Sequence, residues 1–128
     1  MKYVLDTHAA LWIAEDSDRL SPRVRALARS QAAGALGIAA ISLLEIARKV
    51  HDGEITHRID PAAWLAELAV QFETLPLTPQ IAWQSVGLDW AHRDPADRLI
   101  VATTQCHGRI LVTHDKEITR WGGVPVFW

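Results

Sequence analysis

Short apolar runs alternate along this chain with longer stretches whose apolar residues recur every three or four positions. The first kind suits buried strands and the second amphipathic helices. Residues 2–5, KYVL, read as a short strand ending at Asp6, with a helix following through Leu11, Trp12 and Ile13. Ser21-Pro22 matches a helix cap with proline at the first helical position, and Val24, Leu27 and Ala28 give that helix an apolar stripe. Leu36 to Ala40 predicts a second strand, before a helix beginning at Ser42. The same cap-then-proline device recurs at Asp60-Pro61, Thr78-Pro79 and Asp94-Pro95 and fixes three more helix starts. Trp64, Leu65 and Leu68 line the first of these, Ile81, Ala82 and Val86 the second, while the third runs through Leu99 to Ala102 and stops near Gly108. Phe72 to Leu77, Ile110 to Thr113 and Val124 to Phe127 predict further strands, with a short helix over Asp115 to Arg120. Strands alternating with helices favour right-handed crossovers and an α/β fold around a mainly parallel sheet.

Composition narrows this picture. A chain of 128 residues, 49% apolar and 22% charged, fits one globular domain spanning 1–128 with a sizeable core. The longest apolar stretch, Gly34 to Ala47, is interrupted by Glu45 and is too short to cross a bilayer. The first residues carry no apolar leader with a small-residue cleavage site, so neither export nor membrane insertion is expected. The single Cys106 cannot form an internal disulfide and sits in an apolar setting, which points to a small core residue and a reducing cytoplasm. Most of the six tryptophans are expected to anchor the core or an interface, and a minority to stack on a base.

The net charge of -2 hides an uneven distribution. Asp6, Glu45, Asp97 and Asp115 each stand where an apolar run passes into a helix or has just entered one. In a parallel α/β sheet those places share one edge, the usual ligand edge. Setting these four aside leaves eleven acidic against thirteen basic residues, so the rest of the chain is slightly positive. Carboxylates gathered on one edge repel unless a cation lies between them, and hard divalent cations prefer oxygen ligands. Mg²⁺ or Mn²⁺ and hydrolysis of a phosphodiester are the matching chemistry. Each acid taken singly also fits a cap: Ser42-Leu-Leu-Glu45 has the spacing of a capping box, Asp6 and Asp115 stand before helices, and Asp94 looks like the cap before Pro95. Thr7 and Thr113 are candidates to hydrogen-bond a carboxylate, Arg98 and Lys49 to contact a phosphate, and His92 and His114 to move protons.

Four blocks in order, VLDTHAALW, ISLLEIARKVHDGEI, HRDPADRLIVATT and ILVTHD, resemble the PIN-domain ribonucleases, and in particular the VapC-like toxins of toxin–antitoxin pairs. The resemblance extends through PLTPQIA and the final VPVFW. It implies a three-layer α/β/α sandwich around a sheet of about five strands, Mg²⁺- or Mn²⁺-dependent cleavage of RNA, a homodimer, and a small antitoxin partner, of the Phd type in this subgroup. Its acidic site falls on Asp6, Glu45, Asp97 and Asp115, and Ala96 departs from the bulky aromatic common between the two acids of the third block. The rival readings are a silent PIN-like module that binds RNA or a partner, and a receiver domain phosphorylated at Asp6. The second lacks a suitably placed lysine, because Lys116 follows Asp115 too directly.

Overall fold

The computed structural model describes residues 2–31, 34–56 and 60–128. In chain order the elements are β1 (Tyr3–Leu5), α1 (Thr7–Ala14), α2 (Pro22–Ser30), β2 (Gly37–Ala39), α3 (Ala40–His51) and α4 (Pro61–Gln71). They continue with β3 (Glu73–Leu75), α5 (Pro79–Gly87), α6 (Pro95–Cys106), β4 (Ile110–Val112), α7 (Lys116–Trp121) and β5 (Val126–Phe127). All five strands join one parallel sheet in the order β3-β2-β1-β4-β5.

Strand alternation separates two cores. Leu5, Ile38 and Val112 face one layer with Leu11, Val24 and Leu68 from α1, α2 and α4. Their neighbours Val4, Ala39 and Leu111 face the other, with Ile100 and Val101 of α6 and Ile118 of α7. Right-handed crossovers require this division. The chain moves outward through β2 and β3 on one side of β1 and through β4 and β5 on the other, so its helices change faces. The result is the expected α/β/α sandwich, with the order reversing between β1 and β4. At such a switch point the connections leaving the strands diverge and open a crevice at their carboxyl ends.

The proline-marked starts hold. Ser21 Oγ accepts from the Val24 amide at 3.1 Å, Asp60 Oδ1 from Ala62 at 3.2 Å, Thr78 Oγ1 from Ile81 at 3.1 Å and Asp94 Oδ1 from Ala96 at 2.9 Å. The α3 start differs from expectation. The helix begins at Ala40 and its cap residue, Ala39, makes no side-chain bond, so Ser42 lies inside the first turn and no capping box forms. The small side chains of Ala39 and Ala40 allow the backbone to turn directly from strand to helix, a change that apolar periodicity does not mark. Helix α6 ends at Cys106, two residues before Gly108. Cys106 is only half-buried, its thiol 3.5 Å from Gln84 Oε1, and Val86 is 70% exposed where the α5 stripe predicts burial. Helix α5 buries Ile81 and Ser85 alone, because a serine whose hydroxyl bonds the Ala82 carbonyl can occupy the inner face.

Gly37 is required by a crossing side chain. A Cβ there would lie 2.7 Å from Arg109 Nη1, and that buried guanidinium bridges to Glu73 Oε1 at 2.8 Å. The pair ties β3 to the turn before β4 across the amino end of the sheet, opposite the crevice.

Candidate functional site

The carboxyl ends of β1 and β4 are followed at once by Asp6 and by Thr113, His114 and Asp115. Helix α6 leads into the parallel strand β4 through a short turn and so runs back against it, which brings the α6 amino end and Asp97 to the same edge. Asp6, Glu45, Asp97 and Asp115 all line one cavity of about 370 Å³ there, with Asp94 and Lys49 also on its wall.

Two of these acids cap helices and still face the cavity. Asp6 Oδ1 accepts from the Ala9 amide at 2.7 Å, and Oδ2 accepts from the Thr113 hydroxyl. Asp115 Oδ1 accepts from the Glu117 and Ile118 amides at 2.8 and 3.1 Å, which leaves its other oxygen outside the cap. Thr113 Oγ1 also accepts from the Asp115 amide at 3.0 Å, so one hydroxyl joins both acids. Glu45 is no cap. It stands in the second turn of α3, where the Thr7 hydroxyl donates to Oε1 and also lies 3.1 Å from Ser42 Oγ. Ser42 itself is fully buried between these elements, a role that its place in the sequence did not reveal.

Asp97 Oδ2 lies 2.7 Å from His92 Nε2, while His92 Nδ1 lies 3.1 Å from Glu117 Oε2. An imidazole with a carboxylate at each nitrogen donates from both, and these partners raise its pKa above the ordinary 6.5. Among the described residues, His92, Asp94 and Asp97 bring ligand atoms within 4.8 Å of one another. Asp6, Glu45 and Asp115 line the same cavity outside that tightest group.

The electrostatics of the acids share one direction. Burial pushes the Asp6 carboxyl above the usual range, against the opposing hydrogen bonds from Thr113 and Ala9, with a further upward push from Asp115. Burial likewise raises Glu45, against Thr7, and Asp97 and Asp94 add repulsion. Asp97 is raised by burial, against the His92 bond, and by Asp94. Three carboxyls whose ionised form is disfavoured around one cavity constitute a negative site short of cations. All the offered donors are oxygen atoms apart from the His92 ring, which suits a hard divalent ion.

Arg98 lies elsewhere. Its Nε donates to the Ser85 carbonyl at 2.8 Å, Nη1 to Trp90 and His92 at 2.9 Å each, and Nη2 to Leu88 at 2.9 Å and Val86 at 3.3 Å. A guanidinium consumed by five carbonyls has no donor to offer a phosphate, so Arg98 organises the α5–α6 connection and thereby His92. Thr7 and Thr113 hold carboxylates, and Lys49 stands at the rim, 3.6 Å from Glu54 Oε2. The sequence reads Ser42 as a helix cap, where the structure has it bonded by Thr7, and it gives no site role to Glu117 or to His8, Trp12 and Trp128, the last three of which line the cavity. The spacing of His8 and Trp12, one turn apart after Asp6, was the available signal.

Comparison with known proteins gives a consistent result. The PIN domain family matches residues 3–124. Ribonuclease VapC22 of Mycobacterium tuberculosis is 40% identical over 119 residues, which cover 90% of this chain and 88% of that protein. A toxin-antitoxin complex from Klebsiella pneumoniae superposes with a TM-score of 0.70 at 18% identity, covering 99% of this chain and 97% of the other. FitAcB from Neisseria gonorrhoeae gives 0.72 at 21% identity, covering 98% and 96%.

Proposed function

Because this chain belongs to the PIN-domain family, we propose that it is a divalent-metal-dependent endoribonuclease and the toxin of a toxin–antitoxin pair. The observation that carries the reading is the acid cavity, where burial and mutual repulsion raise three carboxyls that line one hollow. A silent binding module gains nothing from that cost, and membership of this family sets aside the receiver alternative.

Asp6, Glu45, Asp97 and Asp115 would hold the ion. The chemistry such an ion, Mg²⁺ or Mn²⁺, would supply there is a bound water of lowered pKa and an offset to the charge that develops on the phosphate and the leaving oxygen. The chain's own contribution is orientation. Thr113 fixes Asp6 and the Asp115 loop, Thr7 fixes Glu45, and His92 fixes Asp97, so the carboxylates are held before substrate arrives. Lys49 at the rim provides a cation for a phosphate beside the scissile one. Glu117 holds His92 from the other side and keeps its ring aimed at Asp97.

In this reading residues 1–128 form one PIN-like unit that acts in the cytoplasm. No helix among the described residues is long and apolar enough to cross a membrane. A small antitoxin, of the Phd type, and a second copy of the chain are the proposed partners. A Klebsiella pneumoniae toxin-antitoxin complex shares this fold, and the antitoxin proposed for this chain would hold it inactive.

The test is cleavage of a structured RNA pool by the purified chain with Mg²⁺ or Mn²⁺ and with chelator. Cleavage is expected only with the metal, and Asp6→Asn and Asp97→Asn are expected to reduce it to background while retaining the circular dichroism of the parent. Undiminished cleavage in both variants, or in chelator, would overturn the assignment.

A further inference from the structure

Two of the six tryptophans, Trp12 and Trp128, line the acid cavity together with the four acids. They form a continuous aromatic wall. The indoles meet edge to face at 5.8 Å, His114 stacks on Trp128 at 5.0 Å with planes 22° apart, and His8 leans on Trp12 at 5.7 Å. The other tryptophans are used differently. Trp64 is buried, Trp90 and Trp121 stack on each other at 4.7 Å with Trp121 Nε1 donating to the Asp89 carbonyl, and Trp83 is exposed on α5 and lines neither hollow.

The wall follows directly from the way α1 is built. Asp6 caps the helix, and His8 and Trp12 stand on one face of it, the second of them about 9 Å along the axis from the capped end at about 1.5 Å per residue. His114 immediately precedes Asp115. Both indoles rest one side on the core under α1 and α2 and are only half-buried. Beyond them lies a second hollow of about 390 Å³, which shares His8, Trp12, Arg19 and Lys49 with the acid cavity. Arg19 and Lys49 thus stand where the two hollows meet, next to the rings, with Glu15 and Glu54 on the far wall of the second. Arg19 lies over Trp12 with Cζ 5.7 Å from the ring centroid. Lys49 lies 3.6 Å from the exposed Glu54, a surface contact weak enough to exchange for a phosphate, and its charge also acts on Glu45.

We propose that Trp12 and Trp128 form a base-stacking subsite for single-stranded RNA beside the cleavage centre, with Arg19 and Lys49 receiving the adjoining phosphate. This rests on the nuclease reading and names the form of its substrate. An acid cavity alone repels a polyanion, whereas ring faces take any base through its π surface and the two cations draw the backbone along the groove. The substrate is thereby selected as unpaired, because a base must leave its stack to lie on an indole.

The experiment measures binding apart from cleavage. In an Asp97→Asn background, hexauridylate and an abasic hexamer of the same backbone are titrated by fluorescence anisotropy, with Trp12→Leu, Trp128→Leu and the matching Phe variants. Each Leu variant is expected to weaken hexauridylate binding about five- to hundred-fold, the range for loss of one stacked base. The Phe variants should recover most of that affinity, and the abasic hexamer should bind all forms alike. Equal hexauridylate affinity in parent and Leu variants would overturn the subsite, as would the same loss with the abasic hexamer. Trp→Phe variants that fold as the parent but bind like the Leu variants would overturn it too. If the wild-type chain cleaves RNA and the Leu variants bind unchanged, the subsite fails and the nuclease stands. If the wild type cleaves no RNA with either metal, the nuclease reading fails first.

Discussion

At the residue scale, a side chain that caps a helix and a side chain that serves a metal need not be alternatives. Asp6 and Asp115 each spend one oxygen on helix amides and keep the other for the cavity or its threonine. Asn caps as well as Asp, so Asp6→Asn preserves the α1 start while removing a charge disfavoured by burial. Thermal melting at neutral pH without metal is expected to show Asp6→Asn at least as stable as the parent, although its cleavage is lost. Thr113→Val removes the hydroxyl joining Asp6 and Asp115 at constant shape. A loss of about 10- to 100-fold in turnover and metal affinity is expected, as for other groups that orient ligands, and unchanged kinetics would dismiss the role. Glu45→Gln should lower turnover far more than the melting temperature, because α3 is not capped by this residue. The acids themselves were legible in the sequence as places where apolar runs pass into helices. The threonines were legible as neighbours of acids, but Ser42 reads as a helix cap, since a buried serine that meets Thr7 across the fold has the same local spacing as a capping box.

At the element scale, the α5–α6 connection has no regular structure, and most of its carbonyl hydrogen bonds go to one guanidinium, with Trp121 Nε1 on the Asp89 carbonyl. Arg98 bonds five carbonyls between Ser85 and His92, and His92 then meets Asp97 and Glu117. Arg98→Lys keeps the charge but cannot reproduce the planar fork. It should cost about 2–4 kcal/mol in denaturant unfolding, the scale expected when several partly buried carbonyls lose a charged donor, and should lower turnover by misplacing His92. A variant as stable and as active as the parent would show the loop to be held by something else. Adjacent to Asp97, Arg98 reads in sequence as a phosphate ligand. Only the fold shows the loop curling back over it, because the loop's carbonyls carry no signal in the side-chain pattern. Helix starts were legible to the residue wherever a cap preceded proline, and displaced at α3, where none did.

For the whole molecule, the two edges of the sheet carry opposite electrostatic linkages. The carboxyls of Asp6, Glu45 and Asp97 are raised above their ordinary 3.8, 4.5 and 3.8, so the folded chain takes up protons more readily than the unfolded one and gains stability as pH falls from neutral through those raised values. His92, raised above 6.5, acts in the same sense: its contribution is complete below 6.5 and is lost as pH rises through its folded value. Glu73 is lowered by Arg109, and its contribution disappears only as pH falls below 4.5 through its folded value. Melting temperature without metal is therefore expected to peak in mild acid, and saturating Mg²⁺ should flatten the neutral side by occupying the site. A melting profile that rises steadily from pH 5 to pH 8 in chelator would contradict this balance. The alternation of strands and helices, most helix starts and the four acids follow from local pattern alone, because caps, prolines and apolar periods act over a few residues. Tertiary structure alone decided that the order reverses between β1 and β4, that Arg98 serves a loop and that Trp12 and Trp128 share a wall with the acids. Those relations join residues far apart in the chain, and they arise only when right-handed crossovers and two packed cores fix where each strand end lies.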